Sequence, residues 1–131
     1  MIGIAVQLVD RISHVQKAAD QAGYRNLGHA AASLRKTAVA SIERSDEPSD
    51  PGEPPHTRRG QLPRAIRFDV DRTKQEAVVG PRASVVGEAG AAHEFGEEFR
   101  GTDYDERPYM GPALDANLDR FAADWRGSIK E

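Results

Sequence analysis

Residues 91–114, AAHEFGEEFRGTDYDERPYMGPAL, carry the signals that decide how this chain folds. The first five residues suit a short helical turn with an apolar side, and Gly96 can end that turn because glycine accepts a positive φ. Phe95 and Tyr109 are the aromatic anchors of the stretch. Pro112 marks the start of a closing helix, since the missing N–H of proline costs nothing in the first turn.

The closing helix is predicted to run from residue 111 to residue 126. Its large apolar side chains recur at steps of four, three and four residues, which places them on one helical face. They are Leu114, Leu118, Phe121 and Trp125. We expect this face to pack on a sheet, where burial stabilises the fold by about 1.5 to 3 kcal/mol for each side chain.

Residues 1–44 form a predicted N-terminal helical region with two apolar stripes. Both stripes follow the steps of three and four residues that are typical of an amphipathic helix. The first comprises Ile4, Leu8, Ile12, Val15 and Ala19, and the second Leu27, Ala31, Leu34, Ala38 and Ile42. Gly23 and the next three residues separate the stripes, and we expect a kink or short break there because glycine disfavours a helix interior.

A proline-rich loop, residues 45–60, follows the helical region and holds four of the eight prolines. Loops of this length and composition are usually functional, or become ordered only on binding. After the loop, Ile66, Phe68 and Val70 alternate with charged residues, the pattern of a half-buried strand. Residues 75–80 are predicted to return as its hairpin partner.

The remaining elements complete an α+β fold. A third strand is expected near Phe99 and a fourth at residues 107–110, whereas residues 84–86 are loop or a brief strand. We predict one antiparallel sheet of about four strands, packed against a long N-terminal helix and a C-terminal helix. The chain is then a single domain, residues 1–131, in which residues 61–131 supply a short helix, the sheet and the closing helix.

Composition limits the class of protein. With 131 residues, 38% of them hydrophobic and 30% charged, the chain suits one soluble domain with a modest core. A net charge of −3 argues against a general nucleic-acid binder. The absence of cysteine excludes disulfides and cysteine-based zinc sites. No membrane-spanning run or signal peptide is recognisable, so we expect a cytoplasmic protein with no membrane partner.

No motif in the sequence supports catalysis or cofactor binding. His14, His29, His56 and His93 lack the spacing of a metal-binding pair, and HEFGE at residues 93–97 differs from the HExxH zinc motif. Glycine-rich nucleotide motifs and the GxSxG nucleophile elbow are absent. We therefore predict no catalytic, cofactor-binding or metal-binding residue, no enzymatic activity, and a docked or capping role for His93.

Two clusters of opposite charge lie on either side of the hairpin in sequence. Arg58, Arg59, Arg64 and Arg67 form the basic one, and residues 88–106 contain seven acids against one base. In a monomer both clusters are solvated surface. In a ring, one patch of a subunit faces a different patch of the next, and opposite charges fix the register. The predicted subunit-interface residues are Arg58, Arg59, Arg64, Glu94, Glu97 and Glu98.

Two segments of the chain resemble the tail-completion or head-tail joining (neck) proteins of tailed phages, a group that includes proteins like minor tail protein Z. The first segment matches that family at Glu94, Phe95, Gly96, Arg107, Pro108, Met110, Pro112, Ala113 and Leu114, with Tyr109 in place of the usual Phe. Glu97 stands where the family commonly has Thr. The structural residues that this motif predicts are Phe95, Gly96, Arg107, Pro108, Tyr109, Met110, Pro112 and Leu114.

The second segment is residues 51–66, PGEPPHTRRGQLPRAI. Its matches to the family are Pro51, Gly52, Pro54, Pro55, Arg58, Gly60, Leu62 and Ile66, with Ala65 in place of the common Ser. The resemblance implies a virion structural protein without catalysis, made in the host cytoplasm and located at the neck or the head-proximal end of the tail.

The resemblance also implies partners. Members of the family assemble as rings, often sixfold, that complete the tail and prepare it for the connector. The expected partners are copies of this chain in a ring, by resemblance a hexamer, together with other neck, connector or tail-tube proteins. DNA is expected to pass through the lumen without specific binding.

Two other functions stay open from the residues alone. A nucleic-acid-associated assembly factor would use the cluster from Arg58 to Arg67 and would bind DNA in a salt-sensitive way. A small hydrolase would use His93 and Glu94 in a pocket with strongly shifted carboxylates.

Overall fold

The longest element of the fold is α1 (Ile2–Ser41), a helix of 40 residues that extends about 60 Å. The computed structural model describes residues 2–129, with side chains from residue 11 onward. The side chains of Ile4 and Leu8, predicted for the first stripe, therefore lie outside the described part. In the second stripe, Ala31 and Ala38 are buried, as the spacing predicts.

The predicted break after Gly23 is wrong, because the backbone is helical throughout α1. Gly23 is buried, and a Cβ at this position would collide with the side chain of Gln75 and touch the indole of Trp125. The glycine thus lets two other elements approach α1 closely. This packing offsets the cost of glycine in a helix interior.

A β-hairpin packs on α1 and confirms the prediction for this part of the chain. It consists of β1 (Ile66–Asp71) and β2 (Glu76–Pro81), paired antiparallel from Ile66 opposite Pro81 to Asp71 opposite Glu76. The turn lies beside the middle of α1, where Asp20 accepts hydrogen bonds from Arg72 and Gln75. At the other end, Arg35 donates to the carbonyl of Ile66 at 2.7 Å.

Three short helices follow the loop and the hairpin. They are α2 (Gln61–Ala65), α3 (Ala83–Val86) and α4 (Ala89–Phe95). Residues 84–86, expected to be loop or a brief strand, lie in α3 because the N–H groups of Val85 and Val86 both donate to the carbonyl of Arg82. The turn predicted at residues 91–95 is confirmed, and it ends at Gly96 with φ of +65°.

The expected sheet of about four strands is replaced by two separate two-stranded sheets. The second sheet is formed by β3 (Glu98–Phe99) and β4 (Thr102–Asp103). The third strand near Phe99 is confirmed, but the fourth is not at residues 107–110. Pro108 has no N–H to give to a strand ladder, and the next residues are engaged by the start of the last helix.

The last helix, α5 (Met110–Trp125), packs on α1 rather than on the sheet. The two helices run antiparallel, since Asn117 donates to the hydroxyl of Thr37 at 3.0 Å while Trp125 lies beside Gly23. The buried face of α5 is formed by Ala113 and Asn117. The prediction that its large apolar face packs on a sheet is therefore wrong.

One core joins the helices and the hairpin near the C-terminal end of α1. Its buried members are Ala38, Ile42, Leu62, Ile66, Tyr109 and Ala113. The fold is α+β, with a long N-terminal helix, a C-terminal helix and small antiparallel sheets.

Candidate functional site

The proline-rich loop folds against residues 105–109, so the two segments that carry the family resemblance meet in space. Arg107 donates from Nε to the carbonyl of Ser49 at 2.9 Å. The N–H of Gly52 donates to the carbonyl of Glu106 at 2.8 Å. Pro55 is fully buried. These contacts give the loop a defined position on the domain.

The two ends of the loop are also closed onto each other. The N–H of Ser45 donates to the carbonyl of Thr57, and the N–H of Thr57 donates to the carbonyl of Glu43, at 3.1 and 2.8 Å. The hydroxyl of Thr57 accepts the N–H of Gly60. The loop therefore returns to the end of α1 before α2 begins.

The carboxylate of Glu94 caps α5. Its Oε2 accepts the N–H groups of Tyr109 and Met110 at 2.8 and 2.9 Å, and its Oε1 accepts the N–H of Gly111 at 2.8 Å. Pro112, the next residue, has no N–H. One carboxylate thus satisfies all the free donors at this end and places negative charge at the positive end of the helix dipole.

This geometry corrects the assignment of Glu94 to a subunit interface. Both carboxylate oxygens are bonded inside the subunit, so Glu94 is a structural residue of its own chain. The same bonds argue against Glu94 as the base of a hydrolase site, because its lone pairs point at the start of α5. Glu97 and Glu98 are exposed, and their interface role stays a prediction.

The residues around Glu94 explain several other positions of the motif. A Cβ at Gly96 would lie 2.8 Å from the N atom of Glu106, so the chain can pass there only with glycine. The N–H of Arg107 donates to the carbonyl of His93. Tyr109 is 1% exposed and donates from its hydroxyl to the carbonyl of Gly90 at 3.0 Å.

Two motif residues lie on the surface instead. Phe95 is 67% exposed, so its predicted role as an anchor within the chain is wrong. It is the last residue of α4 and its ring extends beyond the core. Leu114 is 41% exposed on α5. The motif segment therefore combines a buried network with apolar side chains that face outward.

The predicted basic interface residues are exposed. Arg58 and Arg59 lie at the surface of the loop. Arg64 is exposed too, but its guanidinium donates to the carbonyls of Gly60 and Arg59. Among the side chains of residues 11–129, two arginine–carboxylate ion pairs form and His56 lies 3.9 Å from Glu43, and none of these contacts includes Arg58, Arg59, Glu97 or Glu98. These charges are available to a partner.

A cavity of about 290 Å³ lies between the loop and α4, with His56, Arg58, Val86 and His93 in its lining. The Nδ1 atom of His93 is buried without a hydrogen-bond partner. Burial, and then the nearby charge of Arg107, lower the pKa of His93 below its ordinary value of 6.5. In the described part of the chain, no three His, Asp or Glu side chains are placed to share a metal ion.

The sequence did not reveal two uncovered apolar surfaces. One is on the arm, by which we mean residues 2–19 of α1, where Ile12 and Val15 are 49% and 47% exposed. The other, the α5 face, consists of Leu114, Leu118 and Trp125, which are 41%, 49% and 45% exposed. The sequence predicted the periodic apolar stripes, but it did not predict that no other element of the subunit would cover them.

Comparison of the chain with protein-family models, curated proteins and solved structures found no match. Within residues 2–129, no helix has both the length and the apolar character needed to cross a membrane.

Proposed function

We propose that this chain is a structural subunit that assembles into a ring at the neck or head-proximal end of a phage tail. In this role it completes the tail and joins it to the head. The position in a virion comes from the family resemblance of residues 51–66 and 91–114. The capacity for assembly is supported by the surface that a single copy leaves uncovered.

The solvent-accessible surface area of a single copy is the main observation that supports assembly. The chain exposes 9518 Å². The scaling of surface with mass for folded monomers gives only about 6,800 Å² for 14.3 kDa. The surplus of about 2,700 Å² reflects a long helix and an open fold. Part of this surface is available to be covered by neighbouring copies in a ring.

The distribution of apolar side chains supports the same conclusion. Among the side chains of residues 11–129, twelve large apolar ones are at least 39% exposed, including Phe95 and Trp125. The buried apolar residues are mostly alanines, with Ile42, Leu62, Ile66 and Tyr109 as the larger members. Where such side chains share one face, as Leu114 and Leu118 do on α5, uncovered apolar surface marks a place where another molecule binds.

The exposed charges offer a way to set the register of the ring. Arg58 and Arg59 of one subunit would face Glu97 and Glu98 of the next. Such a contact joins two different patches, and heterologous contacts form a ring when the rotation between subunits closes. Opposite charges across the contact also disfavour wrong partners. Glu94 takes no part, because it caps α5.

Gold labelling of virions tests the proposed position. A short peptide tag is fused to the C-terminus of the chain in the phage or prophage that encodes it, and purified particles are stained with a gold-conjugated antibody. We expect gold at the junction of head and tail, with untagged particles as the control. Gold at the distal tip of the tail, or no gold on intact particles, would contradict the proposal.

DNA binding by the purified chain separates this function from a nucleic-acid-associated one. The net charge of −3 and the acids around Glu97 lead us to expect no tight binding to duplex DNA. Binding that weakens steeply with salt and is lost on Arg58→Ala with Arg59→Ala would favour the nucleic-acid alternative instead.

A further inference from the structure

We propose that the arm of one copy packs along the α5 face of a neighbouring copy. The inference rests on the proposed function, because it requires the chain to associate with itself. Beyond self-association, it names the two surfaces that meet, the arm of one copy and the α5 face of the next.

The arm extends beyond the rest of the domain. Asp20, which binds Arg72 and Gln75 of the hairpin turn, is the first residue of α1 that makes a side-chain hydrogen bond to the body. Residues 11–17 before it are all exposed. The 18 residues of the arm extend for about 27 Å. Ile12 and Val15 are about half exposed, and an amphipathic helix gains most of its stability from the surface that its apolar side covers.

The α5 face has the form of a helix-packing surface. Leu114, Leu118 and Trp125 follow helical spacing on the flank of the buried positions Ala113 and Asn117. The α5 face runs from Leu114 to Trp125, which is 11 residues of helix or about 17 Å, and is shorter than the arm. The apolar side of an arm can pack on it with ridges in grooves.

The arm cannot reach the α5 face of its own chain. Trp125, at the C-terminal end of α5, already lies beside Gly23. From there α1 continues as an unbroken helix away from α5 toward Ile2. Val15 lies eight residues of helix, or about 12 Å, before Gly23 beside Trp125, and 22 residues, or about 33 Å, before Thr37 beside Asn117. The contact must therefore join two molecules.

The charges of the two helices are complementary. The arm has two bases, Arg11 and Lys17, against one acid, Asp10. On α5 the excess is acidic, with three acids against one base. These are Asp115, Asp119, Asp124 and Arg120. Attraction between the helices favours the pairing of an arm with an α5 face over the pairing of two arms.

The amount of apolar surface that becomes covered also favours the pairing of an arm with an α5 face. Two arms that paired with each other would form an isologous dimer and would leave Leu114, Leu118 and Trp125 uncovered. An arm on the α5 face of the next copy covers both surfaces at once. The contact is heterologous, so every subunit gives one arm and receives another, and the assembly can close into a ring.

Disulfide cross-linking tests the contact directly, because the natural chain has no cysteine. The double variant Val15→Cys with Leu118→Cys places one thiol in the arm and one on the α5 face. A second pair, Ile12→Cys with Leu118→Cys, samples the neighbouring turn of the arm. All three positions are exposed, so the substitutions leave the packing of the subunit intact. After oxidation, we expect a ladder of covalent dimers, trimers and larger species from at least one pair.

The matched control is Lys17→Cys with Ala116→Cys. Each of these positions lies two residues from a test position, on another side of its helix, and we expect the ladder to be lost. Single-cysteine Val15→Cys should give no covalent dimer, and its dimerisation would mean that arms pair with arms. Absence of a ladder from both pairs, while the natural chain still forms oligomers, overturns this inference and leaves the proposed function standing. A natural chain that stays monomeric overturns both.

Discussion

Glu94 Oε2 accepts the N–H of Met110, the first residue of α5, at 2.9 Å. The bond links the end of α4 to the start of α5 across 16 residues of sequence. Because the same carboxylate also binds the N–H groups of Tyr109 and Gly111, it holds the motif segment in one conformation. The Glu of the family motif therefore has a physical role in this chain that needs no partner.

Glu94→Ala should lower the free energy of unfolding by about 2 kcal/mol, since three N–H groups lose a charged acceptor. Glu97→Ala is the matched control, because Glu97 is an exposed acid three residues away and such substitutions change stability by less than about 0.5 kcal/mol. Urea unfolding of the two variants measures the difference. Equal stability of both variants would show that the cap contributes nothing.

Tyr109 should make stability fall at alkaline pH. Burial, and then the charge of Glu94, raise the pKa of its hydroxyl above the ordinary value of 10.0. The folded chain keeps the proton where the unfolded chain releases it. The stabilisation is therefore complete below about pH 10 and is lost as the pH rises above that value.

The variant Tyr109→Phe removes this dependence. It should also cost about 1 kcal/mol at neutral pH, because the carbonyl of Gly90 loses its donor. Unfolding in urea at neutral pH measures the loss of stability, and repeating it up to about pH 11 measures how stability depends on pH. Tyr104→Phe, at a position 39% exposed, is the control. If the stability of Tyr109→Phe falls with pH as steeply as that of the natural chain, Tyr109 is not the cause of the alkaline loss of stability.

Charge on the arm should prevent assembly without unfolding the subunit. Ile12→Glu with Val15→Glu places carboxylates on the apolar side of the arm, at two positions that are 49% and 47% exposed. We expect a monomer with wild-type helix content by circular dichroism. Ser13→Lys with His14→Lys places two charges at exposed positions on other sides of the arm and keeps the arm basic, so this control should still assemble. Assembly of the double variant at wild-type concentration would exclude the arm as an interface.

Reversal of the loop charges tests the predicted pairing between Arg58 and Arg59 of one subunit and the acids of the next. Arg58→Glu with Arg59→Glu should abolish assembly, and adding Glu97→Arg with Glu98→Arg should restore it. Lys36→Glu with Lys74→Glu changes the net charge equally at exposed sites outside this contact. Normal oligomers from the first double variant would show that this pairing is wrong.

Local patterns were sufficient to predict the elements that depend on local physics. The second stripe of α1 has the 3.6-residue period, and Ala31, Ala38 and Ile42 are buried as it indicates. The alternation of Ile66, Phe68 and Val70 predicted β1, and Gly96 ends α4 with a positive φ. In each case the residues that determine the structure are neighbours in sequence.

Features set by distant residues were not predictable in this way. The helix continues through Gly23 because Gln75 and Trp125 pack against it, and neither lies near it in the sequence. α5 buries Ala113 and Asn117 against α1, so Leu114 and Leu118 face outward. Periodicity identifies an apolar face, but it does not reveal whether the partner of that face is in the same chain.

Analytical ultracentrifugation of the purified chain over a range of concentrations, combined with negative-stain images, determines whether copies of the chain cover each other's exposed surfaces. We expect a closed oligomer of a single stoichiometry that appears as a ring. A species of 14.3 kDa at every concentration would contradict the account.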